Sequence, residues 1–334
     1  MKRKLAFLLM LCFGWSFFLN GCGGTLPKTD DQLQVVCTIF PEYDWARQLT
    51  QGVDNIDLTL LVKNGTDLHS YQPSVRDIAM IARADVFCYV GGVSDTWVND
   101  VLDTTENRTA QLVSMAEAAD ADEEVLAEGM QAEHEHEHEH EHDHHDDESD
   151  SHEEPPELDE HVWLSLRRAA LACTAMKEAL CKADPAHEDI YNQNCTDYLQ
   201  KLQELDSDFT EMTSQAARDT IVVADRFPFR YLAEDYGLTY YAAFPGCSAE
   251  TEASFETIVF LSEKVESLHL PCVLVTEGSN SSLAKTILEN AGSDGKILTL
   301  QSLQAVSQKE IDTGVTYLSK MQENYDVLKQ ALNS

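Results

Sequence analysis

Histidine and carboxylate alternate through residues 133–145, which read EHEHEHEHEHDHH, and Asp146, Asp147, Glu148 and His152 extend the run. Neutral imidazole and carboxylate are the side chains that coordinate zinc and other divalent first-row ions. His134, His136, His138, His140, His142, His144, His145 and His152 therefore offer many overlapping two- and three-ligand sets. The run has nothing apolar to bury, so it is predicted to be disordered, a weak and exchanging chelator. A tighter centre needs ligands that the fold holds in place. Four stand at the ends of predicted elements: His69 beyond a strand at 58–62, His161 at the start of a helix in DEHVWLS, Asp225 closing a strand at 220–224, and Glu277 closing one at 272–276. Open α/β folds gather ligands outside the carboxyl ends of their strands. Taken singly, each has a plainer role available, Asp225 and Glu277 as helix caps and His69 as a turn residue.

The elements that must position these residues alternate short apolar runs with helical patterns, the signature of parallel sheets covered by crossover helices. Strands are predicted at 35–40, 58–62, 86–90 and 111–113, with helices at 43–50, 74–84 and 95–102. The alternation repeats with strands at 220–224, 240–244, 272–276 and 296–300 and helices at 229–236, 254–268 and 282–291, and a helix at 313–332 closes the chain. Between the halves, Cys195, Tyr198, Leu202, Leu205, Phe209 and Met212 recur at steps of three and four, the stripe of an amphipathic helix. That helix is predicted over 184–218, roughly 50 Å at 1.5 Å per residue. The fold class is thus α/β, two lobes with a four-stranded parallel sheet each, joined by one long rigid helix. The N-terminal lobe takes 33–183, including a disordered acidic loop at 117–158, and the C-terminal lobe takes 219–334.

The 334 residues carry a formal charge of -36. Such acidity excludes a phosphate-binding, nucleic-acid role, which needs clustered Lys and Arg. The excess is local: residues 117–160 hold 21 of the 59 acidic residues, 8 of the 12 histidines and no Lys or Arg. At the N-terminus, Lys2, Arg3 and Lys4 precede an uncharged apolar run at 5–19, too short to span a bilayer and laid out as a secretory signal peptide, 1–21. It ends in Leu19-Asn20-Gly21-Cys22, which looks like a bacterial lipobox, so Cys22 is predicted to carry lipid and 22–32 to form the tether. Seven cysteines remain beyond it, with no CxxC pair; Cys37, Cys88 and Cys272 lie inside strand-like runs and read as small buried hydrophobes. At least one disulfide is chemically open to a chain outside the membrane, and the sequence does not choose it.

Together these features resemble the lipoprotein metal-binding components of bacterial ABC importers for zinc and manganese, in particular the zinc-type members with a histidine-rich loop. The resemblance covers about 35–332. It is carried by GTDLHSYQPS at 65–74, by Ala84-Asp85-Val86 with Tyr89-Val90-Gly91, by the acidic histidine loop, by His161-Val162-Trp163-Leu164-Ser165, by 222–231 with Tyr236-Gly237-Leu238, and by 273–277. It implies an ion in the cleft between the lobes, with His69 and His161 on the first two histidine positions. It also implies Asp225 at a third position that is commonly histidine in zinc-type members, and Glu277 near an acidic fourth. Two nitrogens with carboxylates make a harder site and favour manganese or iron, whereas a histidine loop favours zinc. The expectation is a monomeric extracytoplasmic zinc receptor, lipid-anchored on the outer face of the cell membrane, that delivers Zn2+ to an ABC permease with its cytoplasmic ATPase; manganese is the alternative. An adhesin role stays open, and no general base independent of the ligands supports a zinc hydrolase.

Overall fold

Each half of the chain builds a parallel sheet from strands that are apolar along most of their length. A computed structural model describes residues 32–334 apart from 64, 67, 106–108, 131–157 and 249–251. The predicted signal peptide, Cys22 and the loop histidines from His134 to His152 lie outside the described residues. In the first half, β1 (Leu33–Cys37), α1 (Phe40–Leu49), β2 (Ile56–Leu60), α2 (Val75–Ile81), β3 (Val86–Tyr89), α3 (Trp97–Thr104), β4 (Gln111–Ser114) and α4 (Met115–Ala118) give the strand order β2-β1-β3-β4. In the second, β5 (Thr220–Phe227), α7 (Arg230–Asp235), β6 (Thr239–Pro245), α8 (Phe255–Ser267), β7 (Cys272–Thr276), α9 (Ser282–Asn290) and β8 (Lys296–Leu300) give β6-β5-β7-β8. The two sheets share one winding. Between them run α5 (Leu166–Ala183) and α6 (Glu188–Ser214), and α10 (Gln308–Asp312) and α11 (Tyr317–Asn333) complete the chain.

The linking helix is shorter than its apolar stripe suggested. Asp184 accepts hydrogen bonds from His187 Nδ1 at 2.6 Å and Tyr191 Oη at 2.8 Å, which holds Pro185–His187 as a 3-10 turn ahead of α6. All six stripe residues are buried on α6. The predicted terminal helix, 313–332, is one helix that starts later, at Tyr317, because Gly314 sits at φ +94, a left-handed conformation, and Thr316 caps α11 beyond it; α10 precedes the predicted span. Strand β5 runs three residues past its predicted end, and its register with β6 shifts between Val223 and Arg226. Asp225 therefore lies at a bulge within the strand rather than after it.

The loop predicted to be disordered from 117 is ordered through its described part. Residues 117–130 lie against both halves: Asp122 N–H donates to Tyr231 Oη at 2.9 Å, the Asp122 carboxylate pairs with Arg168 at 2.5 Å, and Glu124 accepts from Cys247 N–H at 3.1 Å. Composition counts these acids as solvated charge, but specific donors on α5, α7 and the turn after β6 hold them. The chain leaves at Met130 and returns at Leu158, which bridges antiparallel to Glu123.

One core spans both halves. Val35, Val86 and Val113 of the first sheet, Ile221, Val223 and Leu274 of the second, and Cys173, Leu202, Phe209 and Leu328 of the helices between belong to a single buried cluster. Residues 33–334 accordingly form one compact unit, and a wide hinge would have to break that core.

Glu42 gives this core a pH dependence. It is fully buried at the start of α1, where its Oε2 accepts from Thr38 N–H at 2.7 Å and Thr38 Oγ1 at 3.0 Å, while Oε1 has no hydrogen-bond partner among the described residues. Burial, helped by the Asp95 charge, pushes its carboxyl from 4.5 up to about 8. The folded state therefore holds a proton that the unfolded chain releases near 4.5. Its stabilising contribution is complete below that pH and is lost as pH rises through about 8, with a slope of up to about 1.4 kcal/mol per pH unit. Glu42→Gln removes the titration. Urea unfolding at about pH 5 and about pH 8 should show the variant losing less stability than the wild type across that interval; equal losses would contradict the assignment.

Candidate metal centre

The turn that leaves β2 and the segment that opens α5 bring two of the predicted ligands to one place. His69 sits in a 3-10 turn, Leu68–Ser70, with Nδ1 at 2.8 Å from Ser94 Oγ and 3.3 Å from Glu160 Oε1. Ser94 lies in the 3-10 turn Val93–Asp95 beyond β3; its N–H donates to Glu160 Oε2 at 3.0 Å, and its hydroxyl makes a short bond to Oε1. An ionised carboxylate only accepts, so with Glu160 charged the serine proton is committed to it. Ser94 Oγ must then accept from His69 Nδ1–H, which puts the ring's lone pair on Nε2.

His161, fully buried, precedes the 3-10 turn Val162–Leu164 that opens into α5. Asp159 Oδ1 accepts from both the His161 backbone N–H, at 3.1 Å, and its Nδ1, at 2.9 Å. This again leaves the lone pair on Nε2, which is buried without a hydrogen-bond partner among the described residues. The two imidazoles lie 5.6 Å apart between centroids, and Trp163 packs at 5.1 Å from the His161 ring. Burial alone would lower the His161 pKa; the Asp159 hydrogen bond and charge, with Glu160 and Glu124, outweigh it and hold the pKa above its ordinary value. Burial raises that of Glu160, against the His161 charge and the Ser94 hydrogen bonds.

His69, Glu160 and His161 each present a ligand atom within 4.8 Å of the other two. Ligands at about 2.1 Å from one ion lie at most about 4.2 Å apart, so a small inward shift would close the set on a single cation. Two glycines make room for this arrangement. A Cβ at Gly92 would stand 2.3 Å from Glu160 Oε2 and 2.5 Å from Glu160 Cβ, and one at Gly246 would stand 3.0 Å from two atoms of the His161 ring.

Asp225 and Glu277 are not part of that cluster. They line an adjoining cavity of about 410 Å³, together with Gly65, Arg226 and Gly246, at the carboxyl ends of β5 and β7. Asp225 accepts from Thr276 Oγ1 at 2.7 Å and from Arg226 N–H at 2.9 Å; Glu277 accepts from Ser302 N–H at 2.6 Å and Ser302 Oγ at 2.7 Å. Gly246 connects the two regions, since it lines the cavity and touches the His161 ring. The residues that sequence reasoning passed over are Glu160, Asp159 and Ser94. Glu160 immediately precedes His161 but reads as the last charge of the acidic run, and Ser94 carries no signal at all.

The chain matches, over residues 35–331, the family described as the zinc-uptake complex component A, periplasmic. It belongs to this family. Its curated relatives include the zinc-binding lipoprotein AdcA of Streptococcus pneumoniae strain R6, 31% identical over 330 residues, 99% of this chain and 61% of that protein. The chain thus spans less than two thirds of that relative. The high-affinity zinc uptake system protein ZnuA of Bacillus subtilis is 30% identical over 98% of this chain and 96% of its own length. Among solved structures, the Zn(II)-bound ZnuA-like domain of S. pneumoniae AdcA superposes with a TM-score of 0.68 at 28% identity, covering 91% of this chain and all of that one. The metal-dependent lipoprotein YcdH of B. subtilis gives 0.71 at 26% identity, covering 90% and all. The family is one of substrate-binding transport proteins, and the paired four-stranded sheets with their long helix are its fold.

Ser94 tests the geometry of this candidate centre. Ser94→Ala removes the hydroxyl that fixes both the His69 ring and Glu160 without touching the ion. Loss of such an outer partner costs about 10–100-fold in metal affinity, so chelator competition should show zinc binding weakened by that factor with the thermal midpoint of the metal-free protein nearly unchanged.

Proposed function

We propose that this protein is the extracytoplasmic receptor of a zinc importer, capturing Zn2+ between its lobes and handing it to an ABC-type permease driven by a cytoplasmic ATPase. The observation that carries the reading is the buried His161 Nε2, oriented by Asp159, without a hydrogen-bond partner among the described residues, and grouped with His69 and Glu160. Two imidazoles and a carboxylate suit zinc, and the relatives are named for that metal. Asp225 and Glu277 face the same region from the C-terminal half and are the ligands that half would add, each by exchanging a serine or threonine hydrogen bond for the ion. That exchange gives the lobes a means of release, because a small displacement at the permease restores the protein hydrogen bonds and withdraws two ligands.

The remaining parts of the reading are proposals of the same kind. Histidines 134 to 152 collect ions weakly, beside a centre whose sequence resumes nine residues later, and Cys22 anchors a monomer to the outer face of the membrane through lipid. No helix among the described residues is long and apolar enough to cross a membrane. Glu160 favours one second reading, manganese as cargo, because it adds a hard oxygen to the first pair of ligands.

Competitive titration of zinc, manganese and iron(II) against a chelator decides among these, using protein with and without residues 131–157 and carrying Glu160→Gln, Asp225→Asn or Glu277→Gln. Sub-micromolar zinc binding that survives loop deletion and is weakened most by Glu160→Gln is expected. Binding no tighter than micromolar without the loop would sink the receptor centre, and manganese outcompeting zinc would change the cargo.

A further inference from the structure

Parallel register places Cys37 of β1 directly beside Cys88 of β3. Register partners project to the same face of a sheet, and both side chains are fully buried in the core that joins the two halves. Both are free thiols in this structure. Neighbouring strands run about 4.7–4.9 Å apart, inside the window of about 4.4–6.8 Å that Cα atoms of a disulfide require. The other described cysteines lack this arrangement: Cys195 Sγ meets the Cys173 carbonyl oxygen at 4.0 Å rather than its thiol, and Cys272 is register partner to Lys296.

We propose that Cys37 and Cys88 are a modification site, a dithiol that closes into a disulfide tying β1 to β3. The oxidant is a disulfide, small-molecule or protein-borne, of the kind present outside the cytoplasm. One thiolate attacks the oxidant's sulfur, breaking its S–S bond and expelling one thiol; the second protein thiolate then attacks the mixed disulfide and expels the other. Two S–H bonds of the protein are lost and two form on the reduced oxidant, so the pair gives up two electrons and two protons. Because both sulfurs are sealed in the finished core, this exchange belongs to folding rather than to the folded protein.

The bond has a bearing on the centre. Cys37 precedes Thr38, whose N–H donates to the Cys88 carbonyl at 3.1 Å, and β3 runs on through Gly92 to Ser94, the residue that holds His69 and Glu160. A covalent tie at this point closes a loop of about 50 residues and fixes the strand pair from which those turns depart.

The full mature chain, reduced and denatured, is refolded in a buffer of reduced and oxidised glutathione, blocked with N-ethylmaleimide and mapped by peptide mass spectrometry without reduction. A cross-linked peptide joining Cys37 to Cys88 should be the dominant disulfide, two hydrogens lighter than its parts, and in Cys88→Ala protein Cys37 should appear as its maleimide adduct. Maleimide on both Cys37 and Cys88 of refolded wild type, or either one joined mainly to another cysteine, overturns the proposal. The wild-type map requires no variant to fold and reads no metal, so it stands apart from the fate of the zinc reading.

Discussion

His161→Ala protein is expected to lose tight zinc binding by more than about a hundredfold, because its loss exceeds that of an outer partner, itself worth about 10–100-fold. The substitution removes one of two imidazole donors. It also leaves Asp159, which now holds the ring through the 2.9 Å bond to Nδ1, with the backbone N–H at 3.1 Å as the remaining donor to its side chain among the described residues. Thermal or chemical unfolding reads the effect as linkage. At a zinc concentration of 1,000 Kd the wild type gains about 4.1 kcal/mol, whereas a variant bound a hundredfold more weakly gains only about 1.4 kcal/mol. The two proteins should therefore separate in the presence of zinc by far more than they do in a chelator. Equal zinc-dependent stabilisation of both would place the ion elsewhere and break the link between the buried Nε2 and the cargo.

The architecture was legible because parallel strands buried on both faces write themselves as continuous apolar runs. β7 and β8 fall on their predicted residues, and the stripe from Cys195 to Met212 marks α6. What pattern could not give were places where single side chains or backbone angles decide an end. Asp184 draws His187 and Tyr191 into its own turn and so delays α6; Gly314 delays the start of the last helix to Tyr317; and the bulge at 223–226 extends β5 past Asp225. Helix α5 was read only as a helix opening near His161, with no extent given. Its alanines and cysteines, Ala169, Ala172, Cys173 and Ala179, are buried but too small to stand out as a hydrophobic stripe.

The centre divides along the same line. His69 and His161 were visible because histidine beside a predicted element end is a rare residue in a ligand-bearing place. Glu160 was hidden by its company, since six of the eight residues before it, 152–159, are acidic or proline and nothing in that composition distinguishes a carboxylate that is fully buried from one in solvent. Its status depends on Ser94, 66 residues away in sequence, and on Gly92, whose missing Cβ makes the space it occupies. Glu277 stands directly beyond β7 as predicted, whereas Asp225 lies at the bulge inside β5. The donors that engage them, Thr276 and Ser302, come from neighbouring chain segments that no local pattern announces.

Trp163→Ala should be the most destabilising single change near the centre, by about 3–5 kcal/mol for a fully buried tryptophan. The indole does more than fill space. Its Nε1 donates to the Ser302 carbonyl at 2.8 Å, its own carbonyl accepts from Tyr317 Oη at 2.6 Å, and its ring packs on His161. Ser302 in turn donates to Glu277. Trp163 thus stands two residues from His161 in the chain, packs on its ring, and is the hydrogen-bond partner of the segment that holds Glu277 of the other half. Trp163→Phe separates these roles, since it keeps most of the packing and deletes the donor, leaving the Ser302 carbonyl to find another. That variant should cost about 1–3 kcal/mol, and its zinc affinity should fall more than its stability alone would explain. Urea unfolding in chelator gives the first quantity and chelator competition the second. If Trp163→Phe binds zinc as the wild type does, then Ser302 and Glu277 are positioned without the indole, and the two halves of the centre are coupled through the shared core alone.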